Sequence, residues 1–222
     1  HYKKAIGVLG KISQDNPTHS GYQNALALSH YGLGLLYSDA NRLIEAEGEY
    51  LDALKSMELI VNANPENSEY QFFLSDVRKS LGYLFSKSNR IKEAEDEYFK
   101  GLKTCQSIAA TNPSNPIYQN VLAGFHNNLG LLFSKDNRPK EAEAEYVKAI
   151  NIRKLLNVMD SATLEYKNDL GWTYHNIADL HRNQKQIELA EESYKNALEI
   201  RKSLVASDPG NLAYQTDLAQ SY

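Results

Sequence analysis

The sequence predicts an all-α solenoid of antiparallel helix hairpins, and three observations carry that prediction. Tyrosine recurs every 48 residues at Tyr22, Tyr70, Tyr118, Tyr166 and Tyr214, and again at Tyr2, Tyr50, Tyr98, Tyr146 and Tyr194. Each period holds two apolar stripes at helical spacing with a short polar stretch between them. Proline returns at one position of the period, as Pro17, Pro65, Pro113 and Pro209. A fixed period without insertion or deletion marks a repeat array, in which each unit packs on its neighbours.

The third period shows the two stripes most plainly. Tyr118, Leu122, Phe125, Leu129 and Phe133 recur every three or four residues, which defines one face of a first helix, A. Ala142, Tyr146, Ala149, Ile150 and Leu156 make the stripe of a second helix, B. Ser134 to Arg138 between them is polar and rich in turn-formers, and Pro139 suits the first turn of helix B. Helix B ends at Asn16-Pro17, Asn64-Pro65, Asn112-Pro113 and Asp208-Pro209, because proline disfavours helical geometry in the residue before it. The remaining joint has Asp160-Ser161 instead and is expected to be softer or differently angled. Helices of about 20 residues follow, roughly 30 Å long.

The expected organisation is one array: a partial unit over 1–17 (helix B), full units over 18–65, 66–113, 114–161 and 162–209, and a partial unit over 210–222 (helix A). The chain begins inside a helix B and stops inside a helix A, so it is expected to be part of a longer array with uncapped, self-associating ends.

Small residues locate the contact between A and B. Gly34, Gly82, Gly130 and Ala178 lie inside helix A, and Ala46, Ala94, Ala142 and Ala190 follow twelve positions later. Ala53, Gly101, Ala149 and Ala197 complete the set. Glycine within a helix costs up to ~1 kcal/mol relative to alanine, so close packing is the expected return. Gly32 to Gly34 is not a phosphate loop, since it neither follows a strand nor opens a helix.

Composition narrows the function classes. The 222 residues are 42% hydrophobic and 23% charged, with a formal charge of −4. Together with a pI near 5.9 this argues against nucleic acid and against an anionic membrane surface. No apolar run approaches the roughly 20 residues that span a bilayer. The single cysteine, Cys105, cannot form an internal disulfide, which favours a reducing compartment and a cytoplasmic location. Cys105 shares no stripe with a histidine, no His-x3-His or Cys-x2-Cys pair occurs, and the carboxylates line helix starts rather than opposing one another. No catalytic residue, metal or cofactor is expected.

Leu33-Gly34, Tyr37, Ala46, Tyr50 and Ala53 follow the Leu-Gly, aromatic, Ala, aromatic, Ala spacing of the tetratricopeptide repeat, which the chain resembles along its whole length. The pattern returns as Leu81-Gly82, Phe85, Ala94, Tyr98, Gly101 and as Leu129-Gly130, Phe133, Ala142, Tyr146, Ala149. The fourth unit reads Ile177-Ala178, His181, Ala190, Tyr194, Ala197. Two departures stand out. His30, Arg78, His126 and Tyr174 occupy the position of a usual aromatic, and the repeat is 14 residues longer than the standard 34. The wording is similar to the long-helix repeats of kinesin light chains and of prokaryotic and archaeal arrays.

The resemblance implies a right-handed superhelix with helix A on its concave wall, helix B outside, and a non-catalytic role as a protein-interaction scaffold. The acids opening each helix B, such as Glu45, Glu47 and Glu49, are expected to be a solvated outer face. Helix A positions vary between units where the groove would lie, and the candidate peptide-binding residues are Tyr31, Lys79, Tyr83, Asn127, Asn128, Lys135, Trp172, His175, Asn176 and Asp179. Asn128 and Asn176 stand where related arrays hold a peptide backbone by an amide. Lys79, Lys87, Lys135, His175 and Arg182 outnumber Asp39, Asp76 and Asp179 there, which favours a protein or peptide partner of acidic character. The alternatives are an oligomerisation spacer, a ligand-sensing regulatory array of a larger signalling protein, and, less favoured, an RNA-binding helical repeat.

Overall fold

The structure is a computed structural model that describes residues 1–16 and 19–221. Pro17 and the boundary between the first partial unit and the first full unit lie outside the described residues. Among those described, ten α-helices form: α1 Tyr2–Asp15, α2 Ser20–Asp39, α3 Leu43–Ala63, α4 Ser68–Lys87, α5 Ile91–Thr111, α6 Pro116–Lys135, α7 Pro139–Met159, α8 Leu164–Asn183, α9 Ile187–Ser207 and α10 Leu212–Ala219. The chain divides into two compact units, His1–Asn112 and Pro113–Tyr222. In the first, α2 pairs with α3 and α4 with α5; in the second, α6 pairs with α7 and α8 with α9.

The local signals explain where each helix starts and stops. Asn67 and Asn211 accept a hydrogen bond from the amide of the residue three positions on, and Asn115 from the amide two on, as helix N-caps do. At the joints, Asn64 and Asn112 turn their side-chain amides back onto the carbonyls of Ile60 and Ile108, at 2.9 and 3.1 Å. Asp160 cannot donate in this way. Its carboxylate accepts forward instead, from the Thr163 hydroxyl at 2.6 Å and from the amides of Ala162 and Thr163. The expectation of a differently angled joint is corrected by the backbone: Asp160 has φ −140° and ψ 82°, against −139° and 78° at Asp208, which precedes a proline. A forward cap reproduces what proline sterics impose.

Each A-to-B turn passes through one residue with positive φ, at Asn41, Asn89, Asn137 and Lys185. Asparagine tolerates this left-handed conformation better than other residues with a Cβ. The following amide then closes the turn on the aromatic carbonyl five residues back, as in Arg138 to Phe133 at 2.8 Å.

The interior of every hairpin forms around the small positions. Ala46, Ala94 and Ala142 are fully buried, as are Ala53 and Ala149. A Cβ placed on Gly34, Gly82 or Gly130 would lie 2.6 Å from the ring of Tyr50, Tyr98 or Tyr146 respectively. Each glycine is therefore the floor on which the tyrosine of the partner helix lies. Burial in this contact pushes the Tyr50 hydroxyl up to about 12 and raises Tyr98 and Tyr146 further.

The expectation of an entirely solvated acidic face on helix B also needs correction. Glu45, Glu93 and Glu141 do stay at the surface, paired with Arg42, Arg90 and Arg138 one turn earlier. Glu49, Glu97 and Glu145 turn inward and meet His30, Arg78 and His126 at 2.7, 2.8 and 2.6 Å. The basic residue that replaces an aromatic on helix A and the acid on helix B are thus two halves of one contact.

Candidate functional site

The variable positions of helix A separate into two groups, those that tie neighbouring A helices together and those that face outward. In the first unit Tyr31 on α2 belongs to the first group. Its hydroxyl donates to Asp76 on α4 at 3.0 Å and lies 3.1 Å from the Ser80 hydroxyl, while its ring meets Phe73 edge-on. Burial and the nearby Asp76 carboxylate raise the Tyr31 hydroxyl far above the ordinary phenol range. Lys79 pairs with Asp76 at 2.6 Å. Tyr83 is 53% exposed and Leu35, at the equivalent position of α2, is 40% exposed.

In the second unit, Asn176 on α8 donates to the Asn127 carbonyl on α6 at 3.1 Å. These two amides hold the A helices together, and Asn120 does the same with Asp169 at 3.2 Å. Asn128 is half-buried, and its side chain makes no hydrogen bond among the described residues. Leu131, at the position of Leu35 and Tyr83, is 44% exposed. Lys135 closes the last turn of α6.

Trp172, 37% exposed, meets His175 edge-on and carries the Arg201 guanidinium over its ring at 4.9 Å. Asp179 gathers Arg182 at 2.9 Å, the Tyr194 hydroxyl and, at 3.6 Å, His175. Burial holds His175 below the ordinary imidazole value, and Arg201 and Arg182 add to this against the pull of Asp179. Two of the expected basic groups are paired within the chain: Lys79 with Asp76 and Arg182 with Asp179.

Tetratricopeptide-repeat models match residues 164–209 and 123–154. Over these two stretches the chain carries tetratricopeptide repeats. Among solved structures it is similar to BtubC (BKLC) from P. vanneervenii, at 18% identity over 100% of this chain and 80% of that one, with a TM-score of 0.67. The MamA protein matches at 18% identity over 95% and 88%, with a TM-score of 0.54. TTC0263, a thermophilic tetratricopeptide-repeat protein of Thermus thermophilus, matches at 17% over 99% and 90%, with a TM-score of 0.52. At these identities the likeness shows the fold, an all-α array of helical repeats. A comparison with curated protein sequences found no match.

Tetratricopeptide repeats serve generally in protein–protein interaction and are generally non-catalytic, which supports an interaction scaffold here. Cys105 is buried, and burial pushes its thiol up to about 12, far from the thiolate a nucleophile needs. Among the described residues, no three His, Cys, Asp or Glu side chains converge to hold a metal ion, and no helix is long and apolar enough to cross a membrane.

Sequence reasoning missed the buried arginines of the second unit. Arg153 on α7 is 6% exposed and donates to the Asp169 carbonyl at 3.1 Å and to the Thr173 hydroxyl on α8. Arg201 repeats this one period on, with the Ser221 hydroxyl at 2.6 Å. The signal was present. Met57 and Cys105 become Arg153 and Arg201 along one repeat position, while Val77 and Phe125 become Thr173 and Ser221 along another.

Proposed function

We propose that the A-helix walls bind a segment of a partner protein, through apolar side-chain contacts and through amide bonds to its main chain. The observation that carries this reading is an apolar residue left exposed at one repeat position on three A helices: Leu35 and Tyr83 in the first unit, Leu131 in the second. Apolar side chains exposed at one phase of successive A helices make a surface suited to a partner. Leu28, 49% exposed, and Trp172 add to the two walls. Asn128 supplies an unengaged amide, which can both donate to and accept from a peptide backbone of any sequence. Tyr31, Asn127 and Asn176 act as struts that hold the reading residues in place. Lys79 and Asp179 present charged pairs, so an acidic partner segment is a weaker part of the reading than an apolar one.

The test is a binding comparison with folded variants. Leu35→Ser, Tyr83→Ser and Leu131→Ser together should abolish retention of the partner segment. Ile44→Ser, at an 85% exposed position of α3, should leave it unchanged. Asn128→Ala should weaken binding by about tenfold, the value of one well-made hydrogen bond at an interface. Equal retention by all variants would remove the A-helix walls from the interaction.

A further inference from the structure

The first two repeats fill one equivalent space in different ways. In the second, Arg78 crosses from α4 to both neighbouring B helices, donating to Glu97 on α5 at 2.8 Å and to Glu58 on α3 at 2.5 Å. Its side chain is only 12% exposed. One period earlier, His30 replaces Arg78 and Gly10 replaces Glu58. His30 is shorter and reaches Glu49 alone, through Nδ1 at 2.7 Å. Gly10 contributes no side chain, and a Cβ built there would meet nothing within 4 Å.

The result is a cavity of 420 Å³ among α1, α2 and α3, lined by Gly10, Ser13, Gln23, His30, Asp52 and Ser56. Ser13 in its wall is 4% exposed, and its buried hydroxyl has no hydrogen-bond partner among the described residues. A buried hydroxyl in that condition points to a polar occupant. Asp52 stands where the second repeat has Lys100, so this site gains an acceptor where the chain withholds its own guanidinium. The Asp52 carboxylate is 3.9 Å from His30 Nδ1. Lys55 also lines the cavity and is exposed.

We propose that this cavity receives an arginine side chain of a partner protein, its guanidinium taking the place that Arg78 fills from within the chain one repeat later. A guanidinium brings five N–H donors in a planar fork, and the cavity offers the Asp52 carboxylate as an acceptor, with Ser13 and Ser56 in its wall. An ammonium is a compact, strongly hydrated point charge and does not bridge acceptors in that way. The cavity lining includes none of Leu35, Tyr83 and Leu131, and the site stands independently of the peptide-binding reading.

The full chain would be titrated with Nα-acetyl-arginine amide and, as a control of like charge, Nα-acetyl-lysine amide, following the His30 ring and Ser13 by NMR. The arginine probe should produce saturable shifts at these residues, with affinity at least about fivefold above the lysine probe. Gly10→Glu with His30→Arg refills the cavity from within and should weaken the response at least about tenfold. The reciprocal change, Arg78→His with Glu58→Gly and Lys100→Asp, should open a second saturable site beside Glu97, and it tests the idea even where the filled variant folds poorly. Equal responses to the two probes, an unchanged response in the filled variant, or no second site in the opened one would each overturn the assignment.

Discussion

The hairpins α6–α7 and α8–α9 share one unit and one backbone plan, yet they are held together by different chemistry. In α6–α7, Tyr146 lies flat on Gly130, His126 meets Glu145, Arg138 stacks over Phe133 at 4.1 Å, and Asn137 takes the positive-φ position of the turn. In α8–α9 every one of these is changed. Ala178 replaces the glycine, Tyr174 and Ser193 replace the ion pair, His181 and Gln186 replace the stacked pair, and Lys185 holds the strained turn. The helices nevertheless have the same lengths, 20 and 21 residues in both hairpins. The apolar stripes and turn length set the hairpin; the specific contacts adjust how tightly it closes.

The tyrosines show the adjustment directly. Tyr146 is 1% exposed, whereas Tyr194 is half-buried, with its hydroxyl bonded to Asp179. Ala178 carries a methyl group at the position where Gly130 has none. Gly130→Ala should therefore place a Cβ against the Tyr146 ring and cost about 1–3 kcal/mol from overpacking. That exceeds the gain of up to ~1 kcal/mol from replacing a helical glycine. Urea unfolding would measure the loss, and tyrosine accessibility would show Tyr146 moving toward the Tyr194 arrangement. A stabilised Gly130→Ala would break the comparison.

The ion pair ranks next. His126→Tyr alone leaves Glu145 with only Lys148 as its partner, and Glu145→Ser alone strands the buried His126, so each single change should cost more than the pair made together. The coupling in a double-mutant cycle should be about 1–2 kcal/mol. Burial alone would raise the Glu145 carboxyl, but hydrogen bonds from His126 and Lys148 outweigh it and hold the group below its ordinary 4.5. A carboxylate depressed in the folded state contributes fully above its unfolded value and loses that contribution as pH falls through the lower folded one. Acid unfolding of the wild type should therefore steepen below pH 4.5, and the double variant, with Ser at 145 as at 193, should lack that component.

Most of the fold was legible in the sequence because it rests on periodic features. The Tyr spacing, the Leu-Gly positions and the joint prolines each report a backbone event at fixed phase, and the helices fall where those events require. The site was less legible for a physical reason. Tyr31, Asn127 and Asn176 vary between repeats as a reading surface would, but they vary in partnership: Tyr31 with Asp76 and Ser80, Asn127 with Asn176. A residue that varies because its structural partner varies looks, one position at a time, like a residue that varies to read a ligand. Only positions that vary without an internal partner, such as Tyr83 and Asn128, keep that meaning once the contacts are known.

The smallest effect sharpens the comparison at the turn. Asn41, Asn89 and Asn137 have φ between 57° and 62° with Lys185, so all four turns ask for the same left-handed residue. Lysine meets that demand at a greater backbone cost than asparagine, because its Cβ and longer stem gain no compensating local hydrogen bond. Lys185 is exposed and forms no ion pair among the described residues, so replacing it removes no contact. Lys185→Asn should stabilise the α8–α9 hairpin by about 0.5–1 kcal/mol, with Lys185→Gly gaining less because glycine also frees the unfolded chain. The converse, Asn137→Lys, should destabilise α6–α7 by a similar amount. If the two substitutions fail to mirror each other in thermal unfolding, the turn of the fourth hairpin is held by something beyond its backbone geometry, and the contacts of Gln186 and His181 become the place to look.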